Sequence, residues 1–296
     1  MAHRLLTPVA RILLTLQALL VLTGGVVRLT GSGLGCPTWP ECTTDSYTPV
    51  TGQAEGAFHA WIEFGNRLLT FGLGGAALLL LILVLVTRRK DLTLLALSQI
   101  GGILAQAVLG GITVLTNLNP IAVASHFLLS TLLIAAAFVL VIKSHRSRLP
   151  ISRTSPLLLV HTGLVFIVIV AGTFLTGAGP HAGDVDAPRL EIHIPLLAAV
   201  HGFLVIALIL LTLVIIYQAV SRADGALQRA IFLFLAICLA QGLIGYIQYL
   251  QGVPQLLVAA HLLGSSILWI SACRVSATQF YSFSPHKKRY SEIESR

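Results

Sequence analysis

Apolar residues fall into eight long blocks, at about residues 12–29, 60–86, 92–114, 121–143, 157–176, 194–219, 228–249 and 255–277. An α-helix needs roughly 20 apolar residues to cross about 30 Å of hydrocarbon, and every block meets that length. The connections are short except for residues 30–58 and 177–193, which leaves no room for a separate soluble domain. The pattern predicts an all-α polytopic membrane protein with eight transmembrane helices. The first block follows Arg4 and Arg11, as a signal peptide would, but no small-residue cleavage site follows it. It reads as a retained first span.

The blocks repeat. LAQAVLGGITVLTNLNP (104–120) matches LAQGLIGYIQYLQGVP (239–254), and VASHFLLSTLLI (123–134) matches VAAHLLGSSILW (258–269). Spans one and five end alike, in RLTGSG (28–33) and FLTGAG (174–179). Four spans per repeat is an even number, so both copies share one orientation: two parallel four-helix bundles, over residues 1–150 and 151–296. The shared Gln106 and Gln241 suit either interhelical hydrogen bonding or contact with a bound ring. The shared Gly110 and Gly245 permit close helix approach.

Composition supports the bilayer as solvent, since 56% of residues are hydrophobic and only 10% charged. A net charge of +8 raises the question of nucleic acid, and its distribution answers it. Basic residues gather at Arg4 and Arg11, at Arg88, Arg89 and Lys90, at Lys143, Arg146, Arg148 and Arg153, at Arg222 and Arg229, and at Arg274, Lys287, Lys288 and Arg289. The alternate loops carry Glu41, Asp45, Glu55, Asp184, Asp186 and Glu191 instead. The positive-inside rule then places both termini in the cytoplasm and the two long loops outside. The charge encodes topology, and no nucleic-acid partner is expected.

Ionisable groups within spans are costly and face a partner or a cavity. Here they are His59, Glu63 and Arg67 in span two, His126 in span four, His161 in span five, His201 in span six and His261 in span eight. All but His161 lie toward the outer ends. His126 and His261 are repeat equivalents, and at the same offset Asn66 falls on His201. Neutral imidazoles on separate helices at matched depth suit the axial positions of a heme iron, more than a zinc site with three or four close ligands. Hydrogen bonding to carbonyls is the plainer alternative for each histidine alone.

The first half departs from this pattern. Asn66 replaces a ligand within Glu63-Phe64-Gly65-Asn66-Arg67, where Glu63 and Arg67 are spaced to share a helix face. They are placed either to neutralise each other or to act: Glu63 as a base or charge stabiliser, Arg67 on a propionate. His59 lies two turns above Asn66, as a substitute ligand or a surface residue. In the first outer loop, Cys36 and Cys42 will tend to pair in an oxidising compartment, as a staple or a reducible bond. Cys238 and Cys273, within spans, read as buried apolar residues.

These residues resemble the heme A synthase family. LTGSGLGCPTWPEC (29–42) is similar to its first outer loop, WIEFGNR (61–67) to the region where many members carry ExxHR, and TGAGPHAGDVDAPR (176–189) to the second outer loop of one bacterial branch. His126, His201 and His261 match three of its four paired histidines. The resemblance implies oxidation of the C8 methyl of heme O to a formyl group, giving heme A for terminal oxidases, in the plasma membrane of a bacterium. It implies heme b between His201 and His261 in the second half, and heme O as substrate in the first, with Glu63 as the essential carboxylate and His126 as a ligand. Implied partners are a heme O synthase upstream, an oxidase assembly pathway downstream and a membrane electron acceptor. Asn66, where many members have histidine, leaves the substrate iron to His126 alone or to His126 with His59. The competing reading is a diheme b-type electron-transfer cytochrome without heme-modifying activity; a transporter is a third, on span count and repeats only.

Overall fold

The computed structural model of the chain describes residues 2–145 and 155–280. Arg146, Arg148, Arg153, Lys287, Lys288 and Arg289 of the charge pattern lie outside them. The described residues form eight α-helices: α1 Ala2–Leu29, α2 Ala57–Val86, α3 Lys90–Leu115, α4 Pro120–His145, α5 Pro156–Ala178, α6 Ile194–Ser221, α7 Gly225–Leu250 and α8 Gln255–Ala277. All eight are long and apolar enough to cross a membrane, and the protein is a multi-pass membrane protein. Large apolar side chains such as Phe71, Leu94 and Phe203 stay exposed, as expected of faces that meet lipid.

The helices match the apolar blocks within a few residues, except that α1 starts ten residues earlier. Leu6, Val9, Ala10 and Leu13 are buried at helical spacing, so the basic N-terminal segment is held by packing. Helix starts follow local chemistry. Proline, with φ already set and no N–H to lose, opens α4 and α5 and takes the second position of α6. Asp224 caps α7, its carboxylate accepting from the N–H groups of Ala226 and Leu227, both at 3.1 Å.

The repeat is visible in the backbone. Arg88 (φ 54°) ends the α2–α3 turn and Ala223 (φ 51°) the α6–α7 turn, 135 positions apart. Leu118 (φ 59°) and Val253 (φ 64°) hold the equivalent place between α3 and α4 and between α7 and α8. Each of the latter donates its N–H five residues back at 2.7 Å, to Thr113 and to Gln248. Left-handed backbone is unfavourable for leucine and more so for β-branched valine. Its presence in both copies shows that turn geometry outweighs residue preference here.

Within the first half α1 and α3 each pack on α2 and α4; within the second, α5 and α7 each pack on α6 and α8. α2 and α4 are therefore diagonal across one bundle, and α6 and α8 across the other. The halves meet through α1–α8, α4–α5 and α4–α8, the pattern that a two-fold axis along the bundle produces. Each bundle has its own core, centred on Leu13, Leu80 and Leu140 in the first and on Ile215, Ile231 and Phe234 in the second. The two long loops lie at one end and join there: Gly33 N–H donates to Gly183 O at 2.8 Å, and Arg28 donates to the carbonyls of Thr176 and His181.

Candidate functional site

Three imidazoles share one local design. His126 on α4 lies against Gly110 of α3, and a β-carbon on that glycine would stand 3.3 Å from the ring. His261 on α8 meets Gly245 of α7 in the same way, at 3.1 Å. His201 on α6 rests on Gly172 of α5, at 3.3 Å. Glycine lets each ring lie close to its neighbour helix. In all three, and in His161, Nδ1 is buried; the His201 ring lies within hydrogen-bonding reach of the Val168 backbone and the His261 ring of the Gln241 backbone. What sets these three apart is the glycine of a neighbouring helix under each ring, at the loop end of the bundle. His201 and His261 stand on diagonal helices of one bundle, an arrangement that fits a flat ring with one histidine on each face.

His161, the inner histidine, is different. It is fully buried, its Nε2 is 3.2 Å from Thr212 Oγ1, and Phe234 packs edge-on to its ring at 4.5 Å. Gln106 donates to His126 O at 3.1 Å and to Ser130 Oγ at 2.5 Å, an interhelical bond made by its amide nitrogen.

Diagonal to His126, α2 carries the acidic site. Glu63 is only 6% exposed. Its Oε1 accepts from Arg67 Nη2 at 2.6 Å and from Nε at 3.1 Å, and its Oε2 accepts from Cys36 N–H at 2.7 Å. Arg67 also donates to the carbonyls of Cys36 (2.9 Å), Thr38 (3.1 Å) and Glu41 (3.1 Å). One guanidinium thus ties the carboxylate to the whole 36–41 turn. The i,i+4 spacing provides the pair; the loop provides the rest.

The loop is closed by a Cys36–Cys42 disulfide with both cysteines fully buried. It reaches α2 because residue 35 is glycine: a β-carbon there would lie 2.4 Å from His59 O. Trp39 packs on α3 at Gly111, beside the glycine that supports His126, and Gln53 donates to Gly35 O at 2.6 Å. His59 sits at the top of α2, its Nδ1 2.9 Å from Ser32 Oγ. Asn66 is turned to α1, with Thr23 Oγ1 2.7 Å from its Oδ1.

The residues singled out from sequence therefore gather at the loop end in two groups, His201 with His261 and Glu63, Arg67, Asn66 and His59 opposite His126. Thr23, Ser32, Gly35, Trp39 and Gly172 escaped that reading. Ser32, Gly35 and Trp39 stood in the outer-loop motif at 29–42; Thr23 and Gly172 acquire meaning only through residues far away in the chain.

A family model described as cytochrome oxidase assembly protein matches residues 9–183, more than half of the chain. A heme A synthase of Shewanella oneidensis is 33% identical over 186 residues, 58% of this chain and 56% of that protein. One of Geobacillus thermodenitrificans is 30% identical over 141 residues, 45% of this chain and 41% of its own length. One of Bradyrhizobium diazoefficiens is 29% identical over 308 aligned positions covering 83% of both. The matches to the first two span about half the length of those relatives.

Proposed function

The chain belongs to the cytochrome oxidase assembly protein family, and from that premise we propose that it is a heme A synthase. In this reading it oxidises the C8 methyl of heme O to a formyl group in the first half, residues 1–150. The observation that carries the reading is the buried Glu63 carboxylate, held by Cys36 N–H and Arg67 on the helix diagonal to His126. Converting the methyl to a formyl group with oxygen from water releases four electrons, which pass to the membrane acceptor, and four protons, so a proton acceptor must stand beside the bound ring. Glu63 meets that need, and its two fixed donors keep the carboxylate aimed. His126 binds the substrate iron. The disulfide loop covers Glu63 and excludes water from it.

The second half, residues 151–296, holds heme b between His201 and His261. When bound, that heme supplies a one-electron carrier. Gly172 and Gly245 position the two rings, and α4–α8 packing brings the halves together. Both termini face the cytoplasm and the long loops face outward. A heme O synthase delivers the substrate, oxidase assembly consumes the product, and a membrane acceptor takes the electrons.

Co-expression with a heme O synthase, followed by pigment extraction and chromatography, tests the reaction. A formyl heme should accumulate only when this chain is present. Heme O persisting unchanged beside normally folded, heme-loaded protein overturns the proposal.

A further inference from the structure

The first half keeps one half of a two-histidine site and rebuilds the other. His126 lies on Gly110 as His261 lies on Gly245, so the ligand side is preserved. Across the bundle, His201 rests on a glycine of α5, whereas its equivalent Asn66 is bonded to the Thr23 hydroxyl of α1 at 2.7 Å. Thr23 also stands 3.2 Å from Leu20 O, and the shorter contact takes its proton. That ties the carboxamide oxygen to α1 and leaves its NH2 end as the group available to the interior. A carboxamide is a poor ligand for heme iron and a good hydrogen-bond donor.

His59 does not fill the gap. It precedes Asn66 by seven residues, about 10 Å along the helix axis at 1.5 Å per residue. The register set by His126 and its counterpart requires position 66. His59 is also engaged elsewhere, with Nδ1 on Ser32 Oγ, which lies 2.8 Å from Thr30 Oγ1 in the outer loop.

We propose that the first half binds its porphyrin iron through His126 alone and keeps the Asn66 face for a small exogenous ligand of the diatomic class, toward which Thr23 holds the Asn66 NH2. This rests on the reading above that a porphyrin occupies the first half. The second half, with histidine on both faces, refuses such a ligand.

The test uses the full-length protein, purified from cells that also make heme O, with carbon monoxide as the probe of the dithionite-reduced form and electron paramagnetic resonance of the oxidised form. Two iron populations are expected: one low-spin and unreactive, lost in His201→Ala, and one high-spin that binds carbon monoxide, lost in His126→Ala. Asn66→His should convert the second population to low-spin and abolish carbon monoxide binding. Thr23→Val should keep it high-spin but speed carbon monoxide release several-fold, because the carboxamide loses its anchor. His59→Ala should leave the spin state unchanged. The second-half low-spin signal reports in every variant but His201→Ala whether the chain has folded, and in that variant the high-spin, carbon-monoxide-binding signal does.

A low-spin first-half iron that refuses carbon monoxide overturns this inference, as does a change to high-spin in His59→Ala; heme A formation is untouched by either result. Folded protein that takes up no ring beyond the low-spin one, despite heme O in the same cells, overturns this inference and the proposed function together.

Discussion

The two bundles carry the same fold and differ where the histidines stand. In the second, His201 and His261 face each other across the diagonal, each backed by glycine, and no ionised side chain lies beside them within the spans. In the first, His126 faces a helix that presents Asn66, Glu63 and Arg67 beneath a disulfide-closed loop. In the function proposed above, a symmetric pair of neutral ligands would fix a ring and leave it inert. One ligand, a buried carboxylate and an amide donor create a face where chemistry can occur. The two bundles share one design, and the polar residues of the first make them unequal.

Removing the carboxylate attacks that inequality most directly. Glu63→Gln keeps the acceptor for Cys36 N–H but removes the base, so heme A formation should fall about 100-fold or more while the low-spin heme of the second half is unchanged. The ratio of heme O to heme A in extracted pigment checks it, and wild-type conversion in this variant would make the two halves equivalent again. Next in size, Arg67→Met leaves the carboxylate without its cation and three loop carbonyls without their donor. Breaking such a pair in a mostly buried setting should cost on the order of 3 kcal/mol, seen as a lowered thermal midpoint in detergent. An unchanged midpoint would mean that the loop holds itself.

A matched substitution sharpens the comparison. Gly110→Ala and Gly245→Ala place a methyl 3.3 Å and 3.1 Å from the His126 and His261 rings. Each should push its ring by a few tenths of an ångström and perturb the absorption of its own half only. A spectral change appearing in both halves from one variant would show that the sites are coupled through α4 and α8. The smallest effect is expected at the opposite end of the bundle. Asp224→Ala removes the α7 cap and should lower stability by about 1 kcal/mol without altering either site.

Much of this was legible in the chain. A run of some 20 apolar residues has few options in a bilayer besides a helix, so eight spans followed from pattern alone, within a few residues at most ends. The 135-residue offset, read from paired motifs, reappears in the backbone at Arg88 and Ala223 and at Leu118 and Val253. Histidines at matched places in the two halves stand out together, where one alone, such as His161, would not, and Glu63 with Arg67 could be paired from their spacing. The start of α1 was not legible, because Arg4 and Arg11 look like a flank until Leu6 and Val9 are seen packed inside.

What the sequence by itself determined was the set of helices, their repetition and the short list of polar groups that a membrane interior does not tolerate without a reason. Those follow from local composition, where the cost of exposing backbone and charge to lipid leaves little choice. The tertiary structure alone decided which partner each polar group takes. Arg67 reaches back 26 to 31 residues to the carbonyls of the loop, Asn66 turns to Thr23 43 residues earlier, and Gly172 backs His201 from another helix. Hydrogen bonds act over a few ångströms and depend on direction, so a contact between distant residues exists only once the helices have packed.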